Sequence, residues 1–213
     1  MPRSLRVFIC VVGFLIGPVS NAKSSHLLNA LAGRVGKENL TIQDAYIFRA
    51  LQRFRTGEKP FVFFEKDQAL KRTIEKLMFE KMLLAEVKAV EFKDPDPTKA
   101  KGFIRQVEAS GKSRELASIA NEFDLTEEEL TQILQQHFLA EAFLQKKLIT
   151  LTPVITSSEV DAYLLKHPEK VKKLSGDKRS VVSEVIKQER MNKALQDYID
   201  FLTEKYSATL LFS

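Results

Sequence analysis

Apolar positions along this chain recur mostly at spacings of three and four, and proline, glycine and hydroxyl-plus-glutamate pairs separate the runs. That spacing predicts amphipathic helices. The strongest run lies between Lys66 and Val90, where Leu70, Ile74, Leu77, Met78, Met82 and Ala85 share one face and Leu83, Leu84 and Val87 widen it. So broad a stripe belongs to a helix at the centre of a core. Phe92-Lys-Asp-Pro-Asp-Pro97 ends it, because proline lacks the backbone donor and clashes with the preceding turn.

Before this helix, Thr41 stands three residues ahead of Asp44 and opens the run Ala45, Phe48, Leu51, so it is the expected N-cap of a helix reaching about Arg55. Thr98 to Ala109 and Ser113 to Phe123 read as two shorter helices with Ser110-Gly111 between them. Thr126 with Glu129, and Thr156 with Glu159, have the spacing of capping boxes. The first opens a helix through Leu130, Ile133, Leu134, His137, Phe138, Phe143, Leu144 and Leu148 that must stop before Pro153. The second opens a short helix through Val160, Tyr163 and Leu164 up to His167-Pro168. Lys170 to Gly176 reads as a charged linker, and Val181, Val185, Ile186, Ala194, Leu195, Tyr198, Ile199 and Leu202 mark a last long helix from Asp177 to near Tyr206.

Two segments break the helical period. Residues 27–42 place short apolar stretches on either side of Gly36-Lys37-Glu38-Asn39, the pattern of a strand, a tight turn and a return strand. Residues 208–212 are β-prone, but a strand of that length is not stable alone. The expected fold is therefore mainly α, one domain with a small sheet pairing an N-terminal strand (about 29–36) with a C-terminal strand (about 208–212).

The front of the chain changes the setting. Arg3 and Arg6 precede an apolar stretch from Val7 to Val19, and Ser20-Asn21-Ala22 supplies small residues at a cleavage position. Residues 1–22 are thus expected to be a secretory signal cleaved after Ala22, too short in its apolar part to span a bilayer comfortably. The alternatives are an uncleaved anchor, or a lipoprotein acceptor at Cys10, although Phe8-Ile9 does not suit the latter. Cys10 is the single cysteine, so the exported chain from Lys23 would carry no thiol and no disulfide framework. The expected location is the periplasm, with no stable membrane insertion once the signal is gone. The formal charge of the whole chain is +5, and cleavage removes Arg3 and Arg6 from it. The remaining charges are interspersed along helices rather than gathered in a stripe, which argues against nucleic acid as a partner.

No Gly-rich phosphate loop, Gly-x-Ser-x-Gly elbow or His-Glu-x-x-His occurs. His26, His137 and His167 lack ligand spacing, and His137 on an apolar face reads as a packed core histidine. Neither a metal nor a cofactor is expected, and the chain reads as non-enzymatic. Phe61-Val-Phe-Phe64, four bulky apolar residues after Pro60, reads either as a plug on the core or as an exposed surface for a partner.

The order of these elements resembles a known family. Leu40-Thr-Ile leads into a helix, followed by Leu70…Ile74-Glu-Lys-Leu77-Met78…Met82-Leu83-Leu84, Leu125-Thr-Glu-Glu-Glu129-Leu and Val154-Ile-Thr-Ser-Ser-Glu159-Val-Asp-Ala-Tyr163…His167-Pro-Glu169. Val182…Glu184-Val-Ile-Lys-Gln-Glu189-Arg…Lys193-Ala-Leu195…Tyr198-Ile…Leu202 and a strand close it. This is similar to the chaperone module of SurA and related exported parvulin-type proteins, and more distantly to the chaperone part of trigger factor. In that family one or two prolyl-isomerase domains normally follow the His-Pro-Glu junction. Here only Lys170 to Gly176 separates the junction from the closing helix, so the resemblance implies a chaperone module (residues 23–169 and 177–213) without an isomerase. It implies a holdase binding unfolded or partly folded envelope and outer-membrane proteins in an apolar groove. Phe61, Phe63, Phe64, Met78, Met82 and Phe138 are the candidate lining residues, each with core packing as its competing role. The alternative is an adaptor or structural subunit using the same fold to bind one folded partner, with Phe61–Phe64 as its docking patch.

Overall fold

The computed structural model describes residues 29–58, 68–172 and 175–211. Phe61–Phe64, His26 and the expected signal at 1–22 lie outside them. The described chain is mainly helical and carries a three-stranded antiparallel sheet. In chain order the elements begin with β1 (Leu31–Val35), β2 (Glu38–Thr41), α1 (Ile42–Thr56) and α2 (Gln68–Ala89). Next come α3 (Lys99–Ala109), α4 (Ser113–Glu122) and α5 (Glu127–Leu151). The last are α6 (Ser157–Lys166), α7 (Pro168–Lys172), α8 (Lys178–Lys205) and β3 (Thr209–Leu210).

Each helix start follows from local chemistry. Thr41, Thr126 and Thr156 all form complete capping boxes, with the hydroxyl accepting from the backbone N–H of Asp44, Glu129 and Glu159 and the carboxylate accepting from the threonine N–H. Asp177 caps α8 by accepting from the Arg179 N–H. The C-terminus of α1 is held by Gly57 at φ 71°, a left-handed conformation that glycine adopts without a Cβ penalty.

α2 is the hub. Leu70, Ile74, Leu77, Met78, Met82, Leu83 and Val87 are all buried, and the helix packs against β1, α1, α5 and α8. β1 lies close enough to α2 that a Cβ on Gly33 would sit 2.9 Å from Met78 Sδ, so glycine there is a condition of the sheet docking on the helix. The sheet order is β2-β1-β3, with Gly33 opposite Leu210 and Arg34 opposite Thr209. The two ends of the fold therefore pair as the sequence predicts, over a shorter stretch than 208–212. The Leu211 N–H extends the pairing to Ala32 O at 3.0 Å, and the Gly36 N–H in the hairpin turn donates to Tyr206 O at 2.7 Å.

So short a strand depends on what precedes it. At the end of α8, Leu202 is fully buried, and Ser207 takes a left-handed φ of 47° that turns the chain toward β1. The Ala208 and Ser207 N–H groups donate back to Thr203 O and Glu204 O, a Schellman closure with serine where glycine is usual. Glu86 of α2, itself buried, accepts from Lys205 Nζ and Tyr206 Oη, both at 2.6 Å. Burial pushes the Glu86 carboxyl up, and the Lys205 and Tyr206 hydrogen bonds outweigh it, so the group is held below its ordinary 4.5.

A second, smaller apolar cluster lies along α8, where Val160 of α6 meets Val182 and Ile186, flanked by Ile155, Tyr163 and Leu164. Ion pairs Arg190–Glu159 and Arg179–Asp161 clamp α6 to α8. The backbone N–H and hydroxyl of Thr156, together with Arg190, bring the Glu159 carboxyl down to about 2. The expected linker at 170–176 is partly helical instead. Pro168 starts α7, a position where its missing N–H costs nothing, and Lys172 reaches Glu169 at 2.9 Å.

Glu86→Gln is expected to lower stability by about 1–3 kcal/mol at neutral pH, through loss of charge-assisted hydrogen bonds in a buried setting. Because the native Glu86 value lies below 4.5, its contribution is full above that pH and disappears as pH falls through the native value. Urea titrations at several pH values should therefore show the gap between wild type and variant closing below pH 4.5. Glu159 has the same sign: as pH falls from 4.5 toward about 2, α6 should loosen from α8, read as amide-exchange protection lost there while wild-type α2 keeps its own.

Candidate functional site

α3 and α4 form a helical hairpin in which α3 packs against α5 and α4 against α1. Phe103 of α3 anchors it by edge contacts to Phe54 of α1 at 6.2 Å and Phe138 of α5 at 5.8 Å. Beside that anchor, along Ile104, Val107 and Glu108 of α3, the packing is incomplete. There the two short helices and the start of α5 enclose an open cleft of about 320 Å3. Its floor is Val107, Leu116 and Leu130, all buried, with Ile104, Ala120 and Leu125 half-buried around them. Glu108, Ser113, Asn121 and Glu127 supply its polar side chains.

Local sequence explains the opening. Leu116 is followed by alanines at positions 117 and 120 in the cleft wall, where longer side chains would close the space. Asp124 takes a left-handed φ of 54° at the end of α4, and the Leu125 N–H donates to Ala120 O at 2.8 Å. This turn sets Leu125 on the cleft floor just before Thr126 caps α5. The mouth beside α5 continues into a wider polar depression lined by Lys101, Glu127, Glu128, Thr131, Gln132 and Gln135.

A different cluster sits between α1, α2 and α5. His137 Nδ1 lies 2.5 Å from Glu80 Oε2, within hydrogen-bond distance. His137 Nε2 lies 3.2 Å from Glu141 Oε1, within ion-pair reach but off hydrogen-bond alignment. Arg55 donates through Nη2 to both Glu141 oxygens at 2.8 and 3.1 Å. The cavity beside this cluster holds only about 10 Å3, which leaves no room for a substrate and makes the network a tie between three helices.

The sequence-predicted site residues fall differently. Phe61, Phe63 and Phe64 lie outside the described residues. Met78, Met82 and Phe138 are core residues at 7, 3 and 6 % exposure, so a client would reach them only by opening the core. The physical reason is that the closing segment uses α2 as its seat: Thr203 Oγ1 lies 3.8 Å from Met82 Sδ, and β1 lies directly over Met78. Phe138 is flanked by cations, with Arg55 Cζ at 4.8 Å and Lys99 Nζ at 4.7 Å from its ring centre. These three are therefore not groove-lining residues in the folded chain.

Sequence reading missed Ile104, Val107, Leu116, Leu125 and Leu130 as one surface. The available signal was that two adjacent short helices carry narrow apolar stripes too small to cover each other, with alanines on the second. His137 was read as a packed histidine, and its carboxylate neighbours come from 57 residues earlier and from one turn later, a pairing that spacing alone does not single out.

No family model matches the chain, and no curated protein or solved structure matches it. Among the described residues no helix is long and apolar enough to cross a membrane, and no three His, Cys, Asp or Glu side chains are placed to hold a metal ion.

Glu80→Ala leaves a buried histidine nitrogen without its acceptor and should cost about 1–3 kcal/mol in urea unfolding. Glu141 is more exposed, at 36 %, and Glu141→Ala should cost less than Glu80→Ala. The reverse ranking would show that the Arg55 clamp, and not the Glu80 contact, holds the three helices together.

Proposed function

We propose that this chain is an exported, SurA-like chaperone module that holds unfolded or partly folded envelope proteins and has no isomerase or other catalytic activity. The cleft between α3, α4 and α5 carries this reading: an apolar floor, polar walls and an open mouth, in a volume that suits a few aliphatic side chains and not a folded domain. Two further features support it. The order of capped helices, closed by a C-terminal strand on an N-terminal one, is the order on which the resemblance rests. The passage from α7 to α8 spans residues 173–177, too few for an inserted isomerase domain. Export rests on the sequence pattern of residues 1–22, and periplasmic location follows from it.

A second reading is an adaptor for one folded partner. Ile149, Val154 and Leu165, at 75, 85 and 83 % exposure near the junction of α5 and α6, favour it, since exposed apolar side chains without an internal role suit a protein contact.

The exported chain, added at equimolar ratio to a porin-like client diluted from urea, is expected to delay aggregation several-fold as followed by light scattering. Unchanged aggregation, together with recovery of a single partner at fixed stoichiometry on co-purification, would establish the adaptor instead. N-terminal sequencing of protein from an envelope fraction is expected to begin at Lys23.

A further inference from the structure

Resting on the chaperone reading, we infer that the α3–α4–α5 cleft selects polypeptide segments in which one or two aliphatic side chains lie next to lysine or arginine.

The selection comes from the cleft's charge. Ile104, Val107, Leu116 and Leu130 give the cleft its apolar surface, and its two ionisable side chains are both carboxylates, Glu108 on α3 and Glu127 on α5. Lysines and arginines are abundant in this chain, yet none is among the residues lining this cleft. Both carboxylates are exposed, and among the described residues neither is engaged in an ion pair. Glu129, by contrast, is consumed by the Thr126 capping box. Glu108 and Glu127 come from two different helices of the cleft, so a segment seated on the floor presents its neighbouring residues to both.

An acidic flank would meet these two like charges, and a basic flank would be drawn to them before the apolar side chains settle. Rim charges of this kind act mainly on encounter and on discrimination between partners, and the apolar floor supplies the holding contact. Lys101 shares the neighbouring depression with Glu127 and Glu128, which reduces the field there, so Glu108 carries the larger part of the preference.

The test uses three fluorescein-labelled nonapeptides with the same Leu-Ala-Leu centre and flanks of lysine, glutamine or glutamate, titrated with the exported chain and followed by anisotropy. At low salt the lysine-flanked peptide is expected to bind roughly three- to tenfold tighter than the glutamate-flanked one, the range set by two exposed ion pairs. Salt near 1 M, where screening is nearly complete, should erase the difference. Glu108→Gln with Glu127→Gln should bring the three peptides together without changing the glutamine-flanked one. Ala117 is exposed on the cleft wall, so the bulky neutral side chain of Ala117→Gln should weaken all three peptides while the melting temperature stays unchanged. Equal binding of the three peptides to the wild-type chain overturns the charge selection. Binding that survives Ala117→Gln overturns the cleft as the site. A chain that delays aggregation but binds none of the peptides sinks this inference and spares the chaperone reading. A chain that binds them with the stated preference but leaves aggregation unchanged does the opposite.

Discussion

The fold depends on α8 returning to α2. One buried carboxylate, Glu86, receives both Lys205 and Tyr206, and the fully buried Leu202 sits a turn before them. Without that anchor the two residues of β3 would not hold a place on β1, because a strand so short gains too little from its ladder to offset the ordering of its backbone. With it, β1 is paired on both edges, and the hairpin turn at Gly36 is tied to the end of α8. The arrangement is not evenly strong. Glu86 would be expensive to leave unpaired in its buried site, whereas the ion pairs between α6 and α8 lie largely in solvent and contribute little each. α8 thus belongs to two apolar clusters at once, with Tyr198 and Leu202 in the large one and Val182 and Ile186 in the small one. Of the two clusters, the smaller has fewer buried side chains and is expected to loosen first.

Closure of the core also decides where binding can take place. The broad stripe on α2 is occupied by β1, α1, α5 and α8, and Met78 and Met82 serve as contacts for the sheet and for α8. Adaptable methionine surface is therefore used internally, where its flexible side chain fills the gap left by Gly33. Among the described residues an accessible apolar cleft remains at the hairpin of α3 and α4, which Phe103 anchors to α1 and α5. Short helices with narrow stripes cannot finish a core, and the unfinished part becomes a cleft.

Much of the architecture was legible because its signals are local. Three threonine capping boxes fix three helix starts within a residue. Pro95, Pro97 and Pro153 mark stops, and Gly57 and Gly111 mark Schellman ends through their left-handed backbone. Three other helix ends use the same turn with Glu91, Asp124 and Ser207 in the left-handed position, where an L side chain is disfavoured and no glycine announces the turn. Asp124 is the one that sets Leu125 into the cleft, so the site was hidden by the same substitution that hid the turn. The misplaced residues have a different cause. Met78, Met82 and Phe138 were correctly seen on apolar faces, but periodicity says only that a face is covered, and whether a second helix or a client covers it is decided by contacts between residues distant in sequence, such as Phe138 with Arg55 or Thr203 with Met82.

A cleft of this size sets the strength of what it can hold. Burying two aliphatic side chains contributes about 3–6 kcal/mol. Holding a flexible segment costs roughly 4 kcal/mol or more in lost freedom. The two nearly cancel, so one segment in one cleft is held weakly and leaves quickly. For a holdase acting outside the cytoplasm it is a requirement, since release has to come from weak binding rather than from a driven opening. Lasting retention of a long unfolded chain then has to come from repeated capture of several segments, whose effective local concentration is high because they share one polypeptide. The incomplete packing of α3 against α4 and the tight seating of α8 on α2 are two sides of one division: the stable contacts close the fold, and under the proposed chaperone function the weak ones are left for a client.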